Sequence, residues 1–382
     1  LAAAQALFQT ASVLVMTVGG LAGGQVAPDP ALATAPIAAM FLGTAAATFP
    51  ASMWMAKAGR RAGFVTGASL GLAGGLFAAL GLWAHSLALL SFGTFLVGCY
   101  QGFAQFYRFA AAEVADERLR PRAISLVLAG GVVAAILGPW LGRVGGPLVE
   151  PSYAGSFLFL AAASLAAGLL LLGLRVPIAA HAAGGPARPL GEIVRQPAYF
   201  VALFGAATGF GVMILAMTAT PPAMLHHQHS LADATLVIQM HVLGMFLPSF
   251  FTGSLIARFG VLRIMLSGVA LLAGHILVTL TGTGFYSFAG ALVLLGIGWN
   301  FLFVGGTTLL TTTYRPSERG RAQALNDMSI YVVGLGSSLA AGALLRLAGW
   351  QVLNVVLLPW LAAAAVAIVW LGLRPRPAER RA

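Results

Sequence analysis

Apolar residues come in runs of about 20, each closed by a short break of Gly, Pro or charge. A helix of about 20 residues is what crosses a hydrocarbon core of about 30 Å. Roughly twelve such runs follow one another, so the chain is expected to be an all-α membrane protein with twelve transmembrane helices. They are placed at about 3–24, 31–56, 63–84, 87–112, 123–145 and 153–175, then 200–220, 232–257, 262–281, 285–313, 322–347 and 352–373. One break is long: "VPIAAHAAGGPARPLGEIVRQPAY", rich in Ala, Gly, Pro and Arg. It predicts an N-terminal six-helix half at 1–175, a linker at 176–198, and a C-terminal half at 199–382 that ends in a short basic tail.

Composition agrees with a lipid environment. Of 382 residues, 59% are apolar and 8% charged, against roughly 25% charged in a soluble domain. The net charge of +11 could suggest nucleic acid, but its placement excludes that reading. Lys57, Arg60, Arg61, Arg118, Arg120, Arg122, Arg258, Arg263, Arg315, Arg319 and Arg321 all fall in alternate breaks, and only Arg143 and Arg346 fall in the opposite set. That asymmetry predicts cytoplasmic termini. Cys99 is the single thiol, which excludes an internal disulfide and a Cys-based zinc site. With no nucleophile–base pair, P-loop or zinc-hydrolase signature, no enzyme and no resident cofactor is expected.

The two halves repeat. "SMWMAKAGRR" at Ser52–Arg61 answers "GSLIARFGVLR" at Gly253–Arg263, "RPRAISL" at Arg120–Leu126 answers "RGRAQAL" at Arg319–Leu325, and Arg143 answers Arg346. The interval is close to half the chain each time, so one six-helix unit is present twice in parallel orientation. Two such units around a midplane site is the major facilitator architecture. The resemblance extends to motifs: "GSLIARFGVLR" resembles the family's loop signature G-x-L-A-D-R-x-G-R-R, and "GPWLG" at Gly138–Gly142 resembles the G-P-x-x-G of helix five in many antiporters. Where the signature has its acidic residue this chain has Ala56 and Ala257, so its inner side is expected to close differently.

One pair of helices carries soft donors. Met213 and Met217 stand four apart on the seventh helix, and His241 and Met245 four apart on the eighth. Residues four apart share a helix face. At about 1.5 Å rise per residue these four would form a ladder from roughly 5 to roughly 20 Å below the outer surface. Met224, His226, His227 and His229 would stand in the loop at its mouth. Thioether with imidazole suits Cu(I) far better than Mg, Ca or Mn. Met pairs also serve as packing, and an intramembrane histidine can hydrogen-bond a neighbouring helix, although an ionisable group there is a functional candidate by default. Shifting by the repeat interval sets Met16 against Met217 and Met40 against His241, an expected second face of the site. Pro248 leaves the Gly244 carbonyl without its helical donor, so the helix should be pliable beside Met245.

M-x-x-x-M followed by H-x-x-x-M on these two helices resembles the CcoA-type copper importers of bacterial inner membranes. The resemblance implies copper uptake into the cytoplasm, with copper as cargo, Met213, Met217, His241 and Met245 as ligands, and copper chaperones or oxidase assembly factors as partners. A monomer in the lipid bilayer is expected. The alternatives are a proton-coupled exporter of organic solutes, suggested by "GPWLG", Trp299, Phe301 and Phe303, and a copper sensor that moves nothing. Arg108 reads as an interfacial ion pair or a gate beside Glu113 and Asp116. Asp327 reads as a proton-coupling group or as a partner of an arginine such as Arg315. His275 reads as packing.

Overall fold

The computed structural model describes residues 1–29, 32–174 and 187–374. Linker positions 176–186 with Arg175, and the basic tail 375–382, lie outside the described residues. Among the described residues ten helices are long and apolar enough to cross a membrane, and two of these are double. The helix Ala35–Trp83 has 49 residues and turns at Gly59, where φ is 85°; Arg319–Leu373 turns at Gly349, where φ is 75°. At about 1.5 Å per residue, 49 residues would span more than twice the hydrocarbon core if straight. Twelve crossings result. They are α1 (Ala2–Val26), α2 (35–58), α3 (60–83), α4 (Leu87–Val114), α5 (Glu117–Gly145) and α6 (Ala154–Leu172) in the first half. In the second they are α7 (Pro197–His226), α8 (Ala232–Phe259), α9 (Val261–Thr279), α10 (Phe285–Leu310), α11 (319–348) and α12 (350–373).

The expected duplication is present in the backbone itself. Gly59 (φ 85°, ψ 163°) and Gly260 (φ 87°, ψ 150°) make the same turn after the second helix of each half. A side chain at positive φ crowds the following carbonyl, so glycine serves both places. Close crossings repeat as well. A Cβ on Gly43 would collide with the Phe95 carbonyl oxygen, and one on Gly296 would meet the His241 carbonyl oxygen at 2.6 Å. The second and fourth helices of each half thus touch backbone to backbone.

Two element ends differ from the sequence reading. α7 continues to His226, with Pro221 and Pro222 inside it, so Met224 and His226 are helical residues. The prolines lack N–H groups and free the carbonyls of Met217 and Thr218 without ending the helix. α8 begins on a capping box, in which the Ser230 hydroxyl accepts from the Asp233 N–H and Asp233 accepts from the Ser230 N–H. It is interrupted at Leu247–Pro248, as Pro248 predicts, but the break is braced. Asn300 Nδ2 donates to the Met245 carbonyl at 2.7 Å and to Ser249 Oγ at 2.6 Å, while Asn300 Oδ1 accepts from Thr252 at 2.7 Å. The pliability expected beside Met245 is therefore countered by α10.

The halves meet along α2 with α11 and α5 with α8. A crevice of about 560 Å³ opens between them, lined by Thr17 and Leu21 of α1, Trp140 and Arg143 of α5, and Thr235 and Gln239 of α8. These positions lie at the end of the bundle opposite the Arg-rich breaks. The molecule is open at that end and closed at the basic one.

Candidate functional site: the seam between the halves

Closure at the basic end is polar. Five contacts join the halves there: Ser52 Oγ donates to the Gly320 carbonyl (2.6 Å), Gly253 N to Ser125 Oγ (3.0 Å), Arg60 to Gln323 (3.1 Å), Arg319 pairs with Glu113 (3.3 Å), and Arg108 with Asp327 (2.7 Å). Glu113 also holds Arg60 through both carboxylate oxygens, which makes it the hub of a three-residue lock. The acidic group missing at Ala56 and Ala257 is thus replaced by one at the end of α4. Nearby, the backbone N–H and guanidinium of Arg188 grip Glu318, at 2.9 and 2.7 Å. Those hydrogen bonds hold the Glu318 carboxyl down at about 2.

Deeper in the seam lies the Arg108–Asp327 pair, with 2% and 1% of the side chains exposed. The structure therefore couples the two charged groups singled out in the sequence to each other, with neither Glu113 nor Arg315 as partner. Arg108 also donates to Gln105 Oε1 at 2.7 Å, and Asn326 donates to Asp327 Oδ1 at 2.9 Å. The guanidinium lies between two rings, 4.6 Å from the centroid of Phe109 and 4.5 Å from that of Phe303. Phe303 stacks on Trp299 (4.9 Å, 17°), and Trp299 meets the edge of Phe246 (5.7 Å, 78°). Phe210 and Tyr331 form a second edge-on pair. A buried ion pair and a run of packed aromatic rings thus lie together in the seam.

The soft donors are distributed differently. His241 is fully buried, and its Nδ1 lies 2.8 Å from the Leu292 carbonyl of α10, inside its own half. Met40 is 1% exposed within an apolar cluster of the first half, so it and His241 are each tucked into their own half. Met213 and Met245 are buried in the main core, while Met16 and Met217 are half-buried against it. Met224 is fully buried and does not stand in a loop at a mouth. His226 and His227 are exposed, and half-buried His229 is tied to the Thr283 carbonyl at 2.8 Å. His275 packs as expected, bridging the Ala291 carbonyl (2.9 Å) and Asn354 (2.8 Å).

The description of the Major Facilitator Superfamily matches the chain twice, over residues 1–222 and 201–382. This chain belongs to that superfamily. Among relatives of this facilitator, the riboflavin transporter RfnT of Brucella anthropi is 41% identical, the match covering 99% of this chain and 96% of RfnT. An uncharacterised MFS-type transporter of Bacillus subtilis, YddS, is 29% identical, covering 89% of this chain and 82% of that one. In fold, the facilitator is similar to the transporter FucP in its outward conformation, with a TM-score of 0.73 at 15% identity and 97% of each chain covered. A facilitator is a membrane transporter, and nothing in these matches indicates catalysis.

Several of the facilitator's seam residues carry no mark in the sequence pattern: Glu113 stands there only as a neighbour of Arg108, and Gln323, Asn326 and Tyr331 have no distinguishing spacing. Asn300 carried a usable signal: an uncharged amide in the middle of an apolar run needs a partner.

Proposed function

We propose that this facilitator carries riboflavin across the bacterial inner membrane, inward, by alternating exposure of the seam. The observation that carries the proposal is the 41% identity to a riboflavin transporter along essentially the whole chain. The crevice is chemically compatible: an isoalloxazine is flat and aromatic with polar edges, and the crevice walls carry the Trp140 and Tyr153 rings beside Arg143, Thr235 and Gln239. With the basic end taken as cytoplasmic, the open crevice faces outward, the side from which an importer loads. This is nearer in cargo class to the organic-solute alternative than to copper.

Copper import, the finer expectation from the Met and His pairs, draws no support from the relatives. Its remaining support is the burial of Met213 and Met245 in one apolar core, with His241 also buried. The deciding experiment is uptake of labelled riboflavin by a riboflavin auxotroph expressing the chain, with labelled copper run in parallel. Riboflavin accumulation above the empty-vector control, with copper unchanged, is the expected result. Copper accumulation lost in His241→Ala, with no riboflavin uptake by membrane-inserted protein, would overturn it.

A further inference from the structure

The crevice carries a charge that an uncharged cargo does not use. Among the described residues that line it, Arg143 is the one charged side chain. It is exposed, and none of the ion pairs among the described residues includes it. Toward the closed end, by contrast, Arg60, Arg108, Arg188 and Arg319 all hold carboxylates. A lone cation in a cleft walled by apolar helices concentrates anions more strongly than one on an open surface. Rise along each helix orders the rest of the lining. Arg143 lies about 3 Å and Trp140 about 8 Å inside the outer end of α5, at about 1.5 Å per residue back from Gly145. On the same scale Gln239 lies about 10 Å inside the start of α8, and Thr17 about 14 Å inside the end of α1. Tyr153, at the outer start of α6, is held at φ 72° with its N–H donating to the Gly146 carbonyl, and it also lines the crevice. The crevice thus runs from a cation and a phenol at its mouth, past an indole, to an amide and a hydroxyl at depth.

Resting on the riboflavin reading, we propose that Arg143 recognises the 5′-phosphate of a phosphorylated flavin, so that the crevice takes riboflavin 5′-phosphate as well as riboflavin. The flavin enters ring-first. Its rings pass Trp140 toward Gln239 and Thr17, and the end of its ribityl chain stays at the mouth. The opposite orientation would carry a phosphate dianion to a depth that offers it no cation. At the mouth the guanidinium meets the phosphate oxygens in a charge-assisted, bidentate pair. The volume of about 560 Å³ lies within the range of about 300–1,000 Å³ usual for ligand pockets. A phospholipid headgroup offers the same phosphate chemistry, and bound lipid phosphorus tells the two apart.

The test is titration of purified full-length protein in detergent with riboflavin and with riboflavin 5′-phosphate, each read by quenching of flavin fluorescence. At low salt the phosphate should bind about tenfold tighter, the worth of one hydrogen-bonded contact to a charged group. The ratio should shrink toward one at about 1 M salt, where the screening length is about 3 Å. Arg143→Gln should bring the low-salt ratio to one or below, and Arg143→Lys should keep it above one. Both substitutions fall at an exposed position, so the fold should tolerate them. A ratio unchanged in Arg143→Gln, or riboflavin 5′-phosphate no tighter than riboflavin in the unaltered protein, would overturn the inference. So would phospholipid phosphorus that co-purifies with the unaltered protein and is missing from Arg143→Gln, because the cation would then belong to a headgroup. If the unaltered protein quenches neither flavin, the functional reading fails and the inference falls with it; if it binds riboflavin alone, only the inference fails.

Discussion

Arg108 and Asp327 form a buried pair whose members depend on each other. Removing one partner of a buried pair leaves an uncompensated charge and typically costs about 3–5 kcal/mol. Arg108→Ala alone should therefore lower the melting temperature in detergent markedly, and Arg108→Ala with Asp327→Ala should recover part of the loss. Glu318 gives a pH signature at the basic end. Its carboxyl lies at about 2 in the fold against an ordinary 4.5, so the ion pair with Arg188 contributes fully above 4.5 and is lost as pH falls toward 2. Melting followed between about pH 5 and 3 should fall more steeply in the unaltered protein than in Arg188→Gln. Both pairs show what a sequence withholds. That Arg108 and Asp327 need partners follows from burial of charge in apolar helices. That they are each other's partners, 219 positions apart, depends on how α4 and α11 meet. His241 shows the same limit: its Nδ1 pairs with a carbonyl on α10, which no spacing within α8 reveals, while its Nε2 has no partner among the described residues.

Helices were legible because lipid imposes a length and an apolar content on each, and the loop motifs gave the duplication. The ends were less so. α7 runs past two prolines, and the breaks after α2 and α11 close within a single glycine. Gly349 has open space where a Cβ would stand, so Gly349→Ala isolates the cost of the positive-φ backbone. A loss of roughly 1–3 kcal/mol is expected from denaturant or thermal unfolding, with transport affected no further than the lowered stability requires. Gly253 would behave differently. A Cβ there would meet the Pro121 carbonyl oxygen at 2.5 Å, so the same substitution pries α8 from α5 and acts on the closed state itself.

The halves should separate at the basic end as the opposite crevice closes. Ser52 and Gly320 touch across the seam, and a cysteine at each, with Cys99→Ser as background, places two thiols where a short bifunctional reagent can join them. Joined protein should lose transport and regain it on cleavage of the reagent. A cysteine at Gln239 should stay reactive toward impermeant maleimide in the joined form, since it lines the open crevice. Retained transport by fully joined protein would show that this end need not open.

The five clasps at the basic end have a counterpart in the membrane. Hydrogen bonds grip one leaflet's worth of the molecule, while across the crevice the walls in the other leaflet face pressure from crowded acyl chains. The bilayer is then a third participant in the cycle. Chain length and packing in the host membrane should bias how often the vestibule gapes, so the same polypeptide would run at different speeds in membranes of different thickness.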